Sequence, residues 1–178
     1  MLRREFKIIK EKLQYQNEWL SVKELLTETD EKKRGTYSVV NKKDCVIMVI
    51  ENAEKKLLLV KSYRYPTQKY AWEFPAGGIE DNEEKSLASE RETFEEVGIK
   101  IKMQEIGSFH PLPGLTSQTA FVYYGTISDN DKKIAENYQE TVDEIVDRRF
   151  FSLDEIRNMI IEGSISDGLT ISSFIFWK

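Results

Sequence analysis

The sequence predicts an α/β domain, a β-sheet that carries helices, with a β-hairpin region at the N-terminus. Residues 45–50 and 56–60 are short apolar runs joined by a polar turn, and the first is rich in β-branched side chains, which favours buried strands. Residues 83–97 contain neither glycine nor proline and are rich in good helix formers, which favours a helix. Ser152 and Glu155 form a capping-box pattern, which predicts the start of a second helix.

In chain order, the first predicted element is the hairpin. Residues 19–26 and 36–40 have the composition of strands, and the charged segment 29–35 predicts the turn between them. The aromatic, proline-containing segment 63–75 follows the two buried strands and predicts extended chain.

The clearest predicted helix covers residues 83–97. Gly98 follows it directly, and glycine there predicts the end of the helix. Asp81, with Glu84 three residues later, predicts a capping pair at its start, where acidic side chains interact favourably with the helix dipole.

The C-terminal half predicts two more strands and two more helices. The strands cover residues 99–109 and 120–127, on either side of a loop at 110–116. The helix that opens at Ser152 is predicted to reach about Glu162. A last helix is predicted over residues 167–177.

Length and composition limit the class of protein. The 178 residues correspond to one domain, which we divide into an N-terminal β region, 1–40, and a main domain, 41–178. The formal net charge of −5 argues against a protein that holds a nucleic-acid backbone with a basic surface. The longest apolar run, 45–50, is far shorter than the ~20 residues that span a bilayer. We therefore expect neither a nucleic-acid nor a membrane partner.

The cellular compartment is predicted from two further observations. The charged N-terminus is not followed by an apolar run of signal-peptide length. The single cysteine, Cys45, cannot form an intrachain disulfide. We expect a cytoplasmic protein.

The predicted helix concentrates three carboxylates on one face. At about 100° per residue, Glu95 and Glu96 lie roughly 60° and 40° on either side of Glu92. Like charges at this spacing destabilise a helix, whereas a divalent cation would reverse the sign of the interaction. Mg²⁺ prefers carboxylate, carbonyl and water oxygens and is typically shared with substrate phosphates. The alternative interpretation is a solvated acidic face.

The spacing around this helix forms a longer motif. Gly77, Glu83, Arg91, Glu92, Glu95, Glu96 and Gly98 stand in the pattern G-x5-E-x7-R-E-U-x-E-E-x-G-U, where U is an aliphatic residue. This pattern resembles the Nudix box, although Thr93 stands at the first U position while Ile99 satisfies the second. The resemblance implies an α/β/α sandwich with a mixed β-sheet and hydrolysis of a nucleoside diphosphate linked to another group.

The resemblance also implies roles for individual residues. The ligands of Mg²⁺, or of Mn²⁺ in its place, would be Glu92, Glu96, Glu95 and the carbonyl of Ala76. Arg91 and Glu95 would be among the catalytic residues. Arg91 would also orient the helix and the loop together with Glu83. A surface salt bridge is the alternative for Arg91. Gly77 and Gly78 would permit the tight loop where a side chain would obstruct the substrate.

Residues outside the box resemble one subfamily. Segments 62–66 and 72–77 resemble the region before the box in ADP-ribose and nucleotide-sugar pyrophosphatases, and Pro113 falls close to the subfamily's marker proline. By this resemblance, Arg64 would contact a substrate phosphate or the terminal ribose, with a structural ion pair as the alternative. Glu73 and Pro113 would also belong to the substrate site.

Two aromatic residues match positions that bind the base in relatives. Trp19 and Tyr37 would sandwich the base, often across a dimer with exchanged N-terminal strands, so the resemblance implies a homodimer with residues 1–40 in dimerisation and base binding. Base stacking tolerates different bases, and core packing is the alternative for both residues.

Hydrolysis also needs a group that accepts a proton from water. In relatives a loop glutamate before the last helices does this, and the best positional match is Glu144, with Glu140 second. Both could instead be solvent-facing charges. The single histidine, His110, cannot build a histidine-based metal cluster, and no cysteine or serine motif near it indicates a nucleophilic triad. We therefore expect direct attack by water on phosphorus.

The leading hypothesis is a Mg²⁺-dependent pyrophosphatase that cleaves ADP-ribose or a related nucleotide sugar into nucleoside monophosphate and sugar phosphate. One alternative is a Nudix enzyme for GDP-mannose or a dinucleotide. Another is a sensor that binds nucleotide sugars without turnover.

Overall fold

A computed structural model describes residues 5–128 and 144–177. The chain divides into two compact units. The N-terminal unit comprises the residues up to Lys43 together with His110–Thr119, and the main unit comprises Asp44–Phe109 and the residues from Ala120 onward. The assignment of residues 1–40 and 41–178 as functional regions stays a prediction.

The N-terminal unit is an antiparallel sheet. Its described strands are β1 (Phe6–Gln16), β2 (Leu20–Thr29) and β3 (Arg34–Lys42), in the order β1-β2-β3. The predicted hairpin corresponds to β2 and β3. β1 is an additional strand, and its pairing with β2 is interrupted by register shifts at Ile8/Lys10 and Leu13/Tyr15. Because each bulge breaks the period-2 alternation, the sequence pattern of β1 is obscured.

The loop at residues 110–119 belongs to the same unit. The amide of Val40 donates to the carbonyl of Leu115 at 2.9 Å, and the Tyr37 hydroxyl donates to the carbonyl of Gly114. These two bonds fix the loop to β3.

The main unit contains a mixed sheet. Its described strands are β4 (Cys45–Glu51), β5 (Leu57–Arg64), β6 (Lys69–Glu73), β7 (Ala76–Gly78), β8 (Gln104–Phe109), β9 (Ala120–Thr126) and β10 (Ile145–Phe151). The main path runs β10-β5-β4-β9-β8, while β6 pairs with β5 and β7 pairs with β4. β4 and β9 are parallel and the other pairs are antiparallel. All of β4 is buried.

Helices cover both faces of this sheet, as the α/β/α expectation requires. The described helices are α1 (Lys85–Val97), α2 (Leu153–Glu162) and α3 (Gly168–Phe174). On one face, α1 packs Ala88 and Val97 against alternate residues of β4. On the other, Ile156 of α2 and Ile165 pack with the remaining apolar β4 side chains. No helix in the described part of the chain is long and apolar enough to cross a membrane.

Helix boundaries agree with the predictions in part. The capping box of Ser152 and Glu155 is confirmed, and α2 ends at Glu162. The capping pair of Asp81 and Glu84 is wrong, because α1 begins at Lys85 and its N-cap, Glu84, makes no side-chain capping bond. The acidic residue used nearby is Glu83, which accepts from the amide of Glu80 at 2.9 Å.

One strand and one helix are shorter than predicted. The strand predicted from residue 99 begins at Gln104, because the preceding apolar residues, including the buried Ile99 and Met103, pack into the core outside the ladder. The last helix ends at Phe174. Beyond it, the Trp177 indole donates to the Glu51 carboxylate at 3.1 Å.

Candidate active site

Arg91 lies within the acidic cluster of α1, which consists of Glu92, Glu95 and Glu96. Its Nη1 donates to Glu92 at 2.8 Å and to Glu95 at 3.1 Å. Its Nε and Nη2 donate to the two oxygens of Glu83 at 2.8 and 2.9 Å, and Nη2 also donates to the carbonyl of Gly78 at 2.9 Å. One partly buried guanidinium therefore joins the helix to the loop before it. This is more than the surface salt bridge that was its alternative interpretation.

The loop before α1 brings the backbone against two of the glutamates. β7 pairs with the buried strand β4, which fixes its position. The amide of Ala76 donates to Glu96 at 3.1 Å. A Cβ built on Gly77 would lie 1.9 Å from Cδ of Glu92, whereas a Cβ on Gly78 would meet no atom within 4 Å. Of the two glycines, only Gly77 is required by close contact with a protein side chain.

Thr93, the departure from the motif, is fully buried. Its hydroxyl donates to the carbonyl of Ser89 at 2.6 Å, one turn earlier in α1. The polar side chain is therefore satisfied within the helix and does not disturb the neighbouring carboxylates.

Two carboxyl groups of this cluster, those of Glu92 and Glu96, have raised pKa values. Burial raises the pKa of Glu96 to about 8, repulsion by Glu92 adds to it, and the Ala76 amide and the Arg64 guanidinium oppose it. Burial also raises the pKa of Glu92, against the opposing effect of Arg91. Partial exclusion of water therefore favours the neutral forms of Glu92 and Glu96 until a cation binds, and carboxyl groups with raised pKa values are common in active sites.

The residues fit a hard divalent cation by their donor chemistry. Carboxylate and carbonyl oxygens are the ligands that Mg²⁺ prefers. Within residues 5–128 and 144–177, no group of three His, Cys, Asp or Glu side chains is already arranged to hold a metal ion. Arg91 holds one oxygen each of Glu92 and Glu95, and Ala76 holds one oxygen of Glu96.

Arg64 and Glu73 form an ion pair in the same unit. Nε of Arg64 donates to the Glu73 carboxylate at 2.9 Å, and Nη2 also donates to it. Glu73 is buried, and this burial raises its pKa while Arg64 lowers it. The structural ion pair, the alternative for Arg64, is therefore present. The guanidinium is half exposed and its charge also acts on Glu96.

Of the two candidate bases, only Glu144 is among the residues that the structure describes. Glu144 is exposed and immediately precedes β10, and its carbonyl accepts from the amide of Tyr63 at 3.0 Å. This bond anchors its backbone beside the residue that precedes Arg64. Glu140 lies outside the described residues.

Three predicted substrate residues lie in the N-terminal unit. Trp19 is 72% exposed and Tyr37 is 47% exposed, so neither is a core residue. Pro113 is exposed in the loop that Tyr37 contacts through Gly114. In that loop, His110 lies 3.3 Å from the carbonyl of Gln118.

Two contacts that hold segments around the candidate site could not be predicted from sequence patterns. Nε of Arg148, in β10, donates to the carbonyl of Glu96 at 2.6 Å. The hydroxyl of Thr170, in α3, accepts from the amide of Phe74 at 3.0 Å and donates to Asp167. Alternation along β10 places Arg148 on the α1 face. No sequence signal joins it to Glu96.

Comparisons with known proteins agree on one family. A model of the NUDIX domain matches residues 41–169. The chain is 31% identical to the methanol dehydrogenase activator of Bacillus methanolicus over 134 residues, 75% of this chain and 71% of the relative. It is 25% identical to the ADP-ribose pyrophosphatase of Bacillus subtilis over 139 residues, 78% of this chain and 74% of the relative.

A third relative is matched over a shorter length. The chain is 34% identical to the diphosphoinositol polyphosphate phosphohydrolase 3-beta of Bos taurus over 103 residues, 57% of this chain and 58% of that protein. Among solved structures, an ADP compounds hydrolase matches with a TM-score of 0.79 and 16% identity, covering 96% of this chain and 91% of that one. This structural match supports the sandwich fold.

Proposed function

Because the chain belongs to the NUDIX domain family, we propose that it hydrolyses the pyrophosphate bond of ADP-ribose or a related nucleoside diphosphate sugar, giving nucleoside monophosphate and sugar phosphate. Family membership makes the chain a Nudix pyrophosphohydrolase, and Nudix hydrolases generally use a divalent cation. The proposal concerns which substrate and which cation. We propose Mg²⁺, with Mn²⁺ as the alternative.

The observation that carries the proposal is the contact of the Glu92 carboxylate with Gly77 beside the Glu96–Ala76 bond. It brings two carboxylates and the backbone of the preceding loop into one small, partly buried volume. We propose that Glu92, Glu96 and the Ala76 carbonyl hold the cation, with Glu95 assisting. A bound cation supplies the positive charge that lets an acidic pocket accept a pyrophosphate.

Arg91 and Arg64 have different proposed tasks. Arg91 binds the loop and the helix together, so it orients Glu92 and Glu95. Arg64 is held by the buried Glu73 with part of its guanidinium exposed, which suits a contact with a substrate phosphate or ribose. Glu73 then acts through Arg64.

We propose that Glu144 accepts the proton from the attacking water, with Glu140 as second candidate. The new bond joins the water oxygen to phosphorus, and the bridging phosphorus–oxygen bond breaks. Glu144 is exposed and anchored next to Tyr63, so its carboxylate is accessible to water.

A substrate panel tests the proposal. Wild-type protein would be incubated with ADP-ribose, ADP-glucose, GDP-mannose, UDP-glucose, a dinucleotide and a diphosphoinositol polyphosphate, with Mg²⁺. Phosphate released by a coupling phosphatase would be measured for the nucleotides, and direct release for the inositol compound. We expect ADP-ribose to give the highest kcat/KM, and EDTA added before the coupling step to abolish turnover.

Each other outcome has a defined meaning. Preference for another nucleotide sugar would keep the chemistry and contradict our assignment of the pocket. Preference for the inositol compound would contradict the proposal that the substrate is a nucleotide. Turnover of ADP-ribose that persists after EDTA treatment would contradict the role of the cation.

We also propose a homodimer in which Trp19 and Tyr37 of the N-terminal region stack on the base. Their exposure supports this, as does the exposure of the whole of β1 with Phe6 and Ile8. We expect light scattering to give about twice the chain's mass of 20.8 kDa. A monomer at micromolar concentration would remove the cross-subunit role of Trp19. A cytoplasmic location and the lack of a nucleic-acid partner stay predictions.

A further inference from the structure

Arg148 contacts the metal-binding helix from a strand that the family motif does not include. Its Nε donates to the carbonyl of Glu96 at 2.6 Å. It lies in β10, opposite Val60 of β5, and it is partly buried. The next residue, Arg149, lies opposite Leu59, is 64% exposed in its side chain and pairs with Asp147 at 2.6 Å. Adjacent arginines thus have different environments.

The contact satisfies a need of the C-terminal end of α1. The last carbonyls of a helix lack partners within the helix, and that end has a partial negative charge. The last turn of α1, which is fully described, contains no basic residue. The amide of Gly98 satisfies the carbonyl of Phe94. Arg148 supplies a donor and a positive charge at the carbonyl of Glu96.

Glu96 is therefore held from two sides. Arg148 binds its backbone carbonyl, and the Ala76 amide binds its carboxylate at 3.1 Å. Only three residues separate Arg148 from Glu144, which directly precedes β10. β10 thus begins directly after the candidate base, and its Arg148 also binds the helix that carries the candidate ligands.

We propose that Arg148 is a positioning residue that holds the last turn of α1, so that Glu96 keeps the place required for the cation. The inference rests on the proposed function. Arg148 acts through the backbone of Glu96 and does not touch the substrate. Loss of the Arg148 side chain should therefore weaken binding of the cation more than binding of the substrate.

The test measures binding of Mn²⁺ alone, by electron paramagnetic resonance, to the full chain. For Arg148→Met, which keeps the aliphatic stem and removes every donor, we expect the Kd for Mn²⁺ to rise about tenfold, the lower end of the effect of losing a residue that supports a metal ligand. Arg148→Lys, which keeps a charged donor, should recover most of the affinity. Arg149→Met is the matched control and should bind Mn²⁺ like the wild type.

Kinetics separate a positioning role from a general loss of structure. We expect Arg148→Met to need about tenfold more Mg²⁺ for half-maximal activity, with an unchanged KM for ADP-ribose at saturating Mg²⁺. An unchanged Kd for Mn²⁺ in Arg148→Met, or an equal rise in Arg149→Met, would overturn the inference. So would an Arg148→Lys variant no better than Arg148→Met.

Hydrogen exchange of the wild type provides a second measurement, which decides the question if Arg148→Met does not fold. Mg²⁺ alone should increase amide protection in α1 and in β10 around Arg148. Protection confined to α1 would overturn the inference and leave the proposed function intact. If the wild type neither binds Mn²⁺ nor shows metal-dependent turnover, the proposed function fails and the inference fails with it.

Discussion

Replacing Glu96 with glutamine is expected to lower kcat at least a hundredfold, on the order of the largest loss seen when a residue that only supports a metal ligand is removed. The substitution removes a carboxyl group that can ionise to bind the cation, and it changes the size of the side chain little. The amide oxygen can still accept the hydrogen bond from the Ala76 amide, which Glu96 accepts at 3.1 Å. We therefore expect a folded protein with a thermal midpoint close to that of the wild type. Steady-state kinetics and differential scanning calorimetry would measure both quantities.

Glu90→Gln is the matched control for this variant. Glu90 is on the same helix, but its partner is the exposed Lys102 at 3.0 Å. It should retain wild-type kcat and affinity for Mn²⁺. Equal, measurable turnover of Glu96→Gln and wild type would exclude Glu96 as a required ligand, whereas binding of nucleotide sugars without turnover in either protein would favour the sensor hypothesis.

Replacing Gly77 with alanine is expected to reduce both kcat and metal affinity, by about 10–100-fold. The added Cβ would lie 1.9 Å from Cδ of Glu92, and about as close to its two oxygens. The carboxylate must therefore leave its place. Because this carboxylate is the end of a flexible side chain, we expect the thermal midpoint to change little while the Mg²⁺ concentration for half-maximal activity rises.

Gly78→Ala provides the comparison, since its Cβ would meet no atom within 4 Å. We expect its affinity for Mn²⁺ and its thermal midpoint to match those of the wild type. An equal loss of affinity in both variants would show that backbone freedom of the loop, rather than contact with Glu92, explains the need for glycine.

Local patterns in the sequence were sufficient for the parts of the site that are close together in the chain. The helix period placed Glu92, Glu95 and Glu96 on one face, and the spacing of the box placed Gly77 before them. Arg91 was assigned an orienting role, and the structure gives it five hydrogen bonds to the loop and the helix. All of these contacts span at most 13 residues.

Contacts between distant segments could not be predicted in this way. Arg148 and Glu96 are 52 residues apart, and Thr170 and Phe74 are 96 residues apart. Neither pair has a local pattern, because their proximity depends on how the sheet brings its strands and helices together. The capping prediction at Asp81 failed for a different, local reason. A nearby carboxylate, Glu83, is engaged by Arg91 and by the Glu80 amide, and the helix begins one residue after Glu84.

The strand alternation of β1 shows another limit of sequence patterns. Two bulges shift the register, so apolar residues do not recur at every second position. The fold class was nevertheless correct, since it depended on the strands that are fully buried. In β4 every residue is buried, and burial accounts for the apolar run at residues 45–50 that precedes Glu51.

The parallel pairing of β4 with β9 has a consequence for how the chain folds. Cys45 pairs with Ala120 and the ladder continues to Glu51 and Thr126, so every pair in it closes a loop of roughly 75 residues, with the entropy cost of a long closure. Folds dominated by such non-local pairs fold slowly. Until the ladder forms, the apolar β4 lacks one of its three partner strands, and during synthesis this partner, β9, is made last. We therefore expect aggregation during refolding, rather than instability of the native protein, to limit the yield of soluble chain.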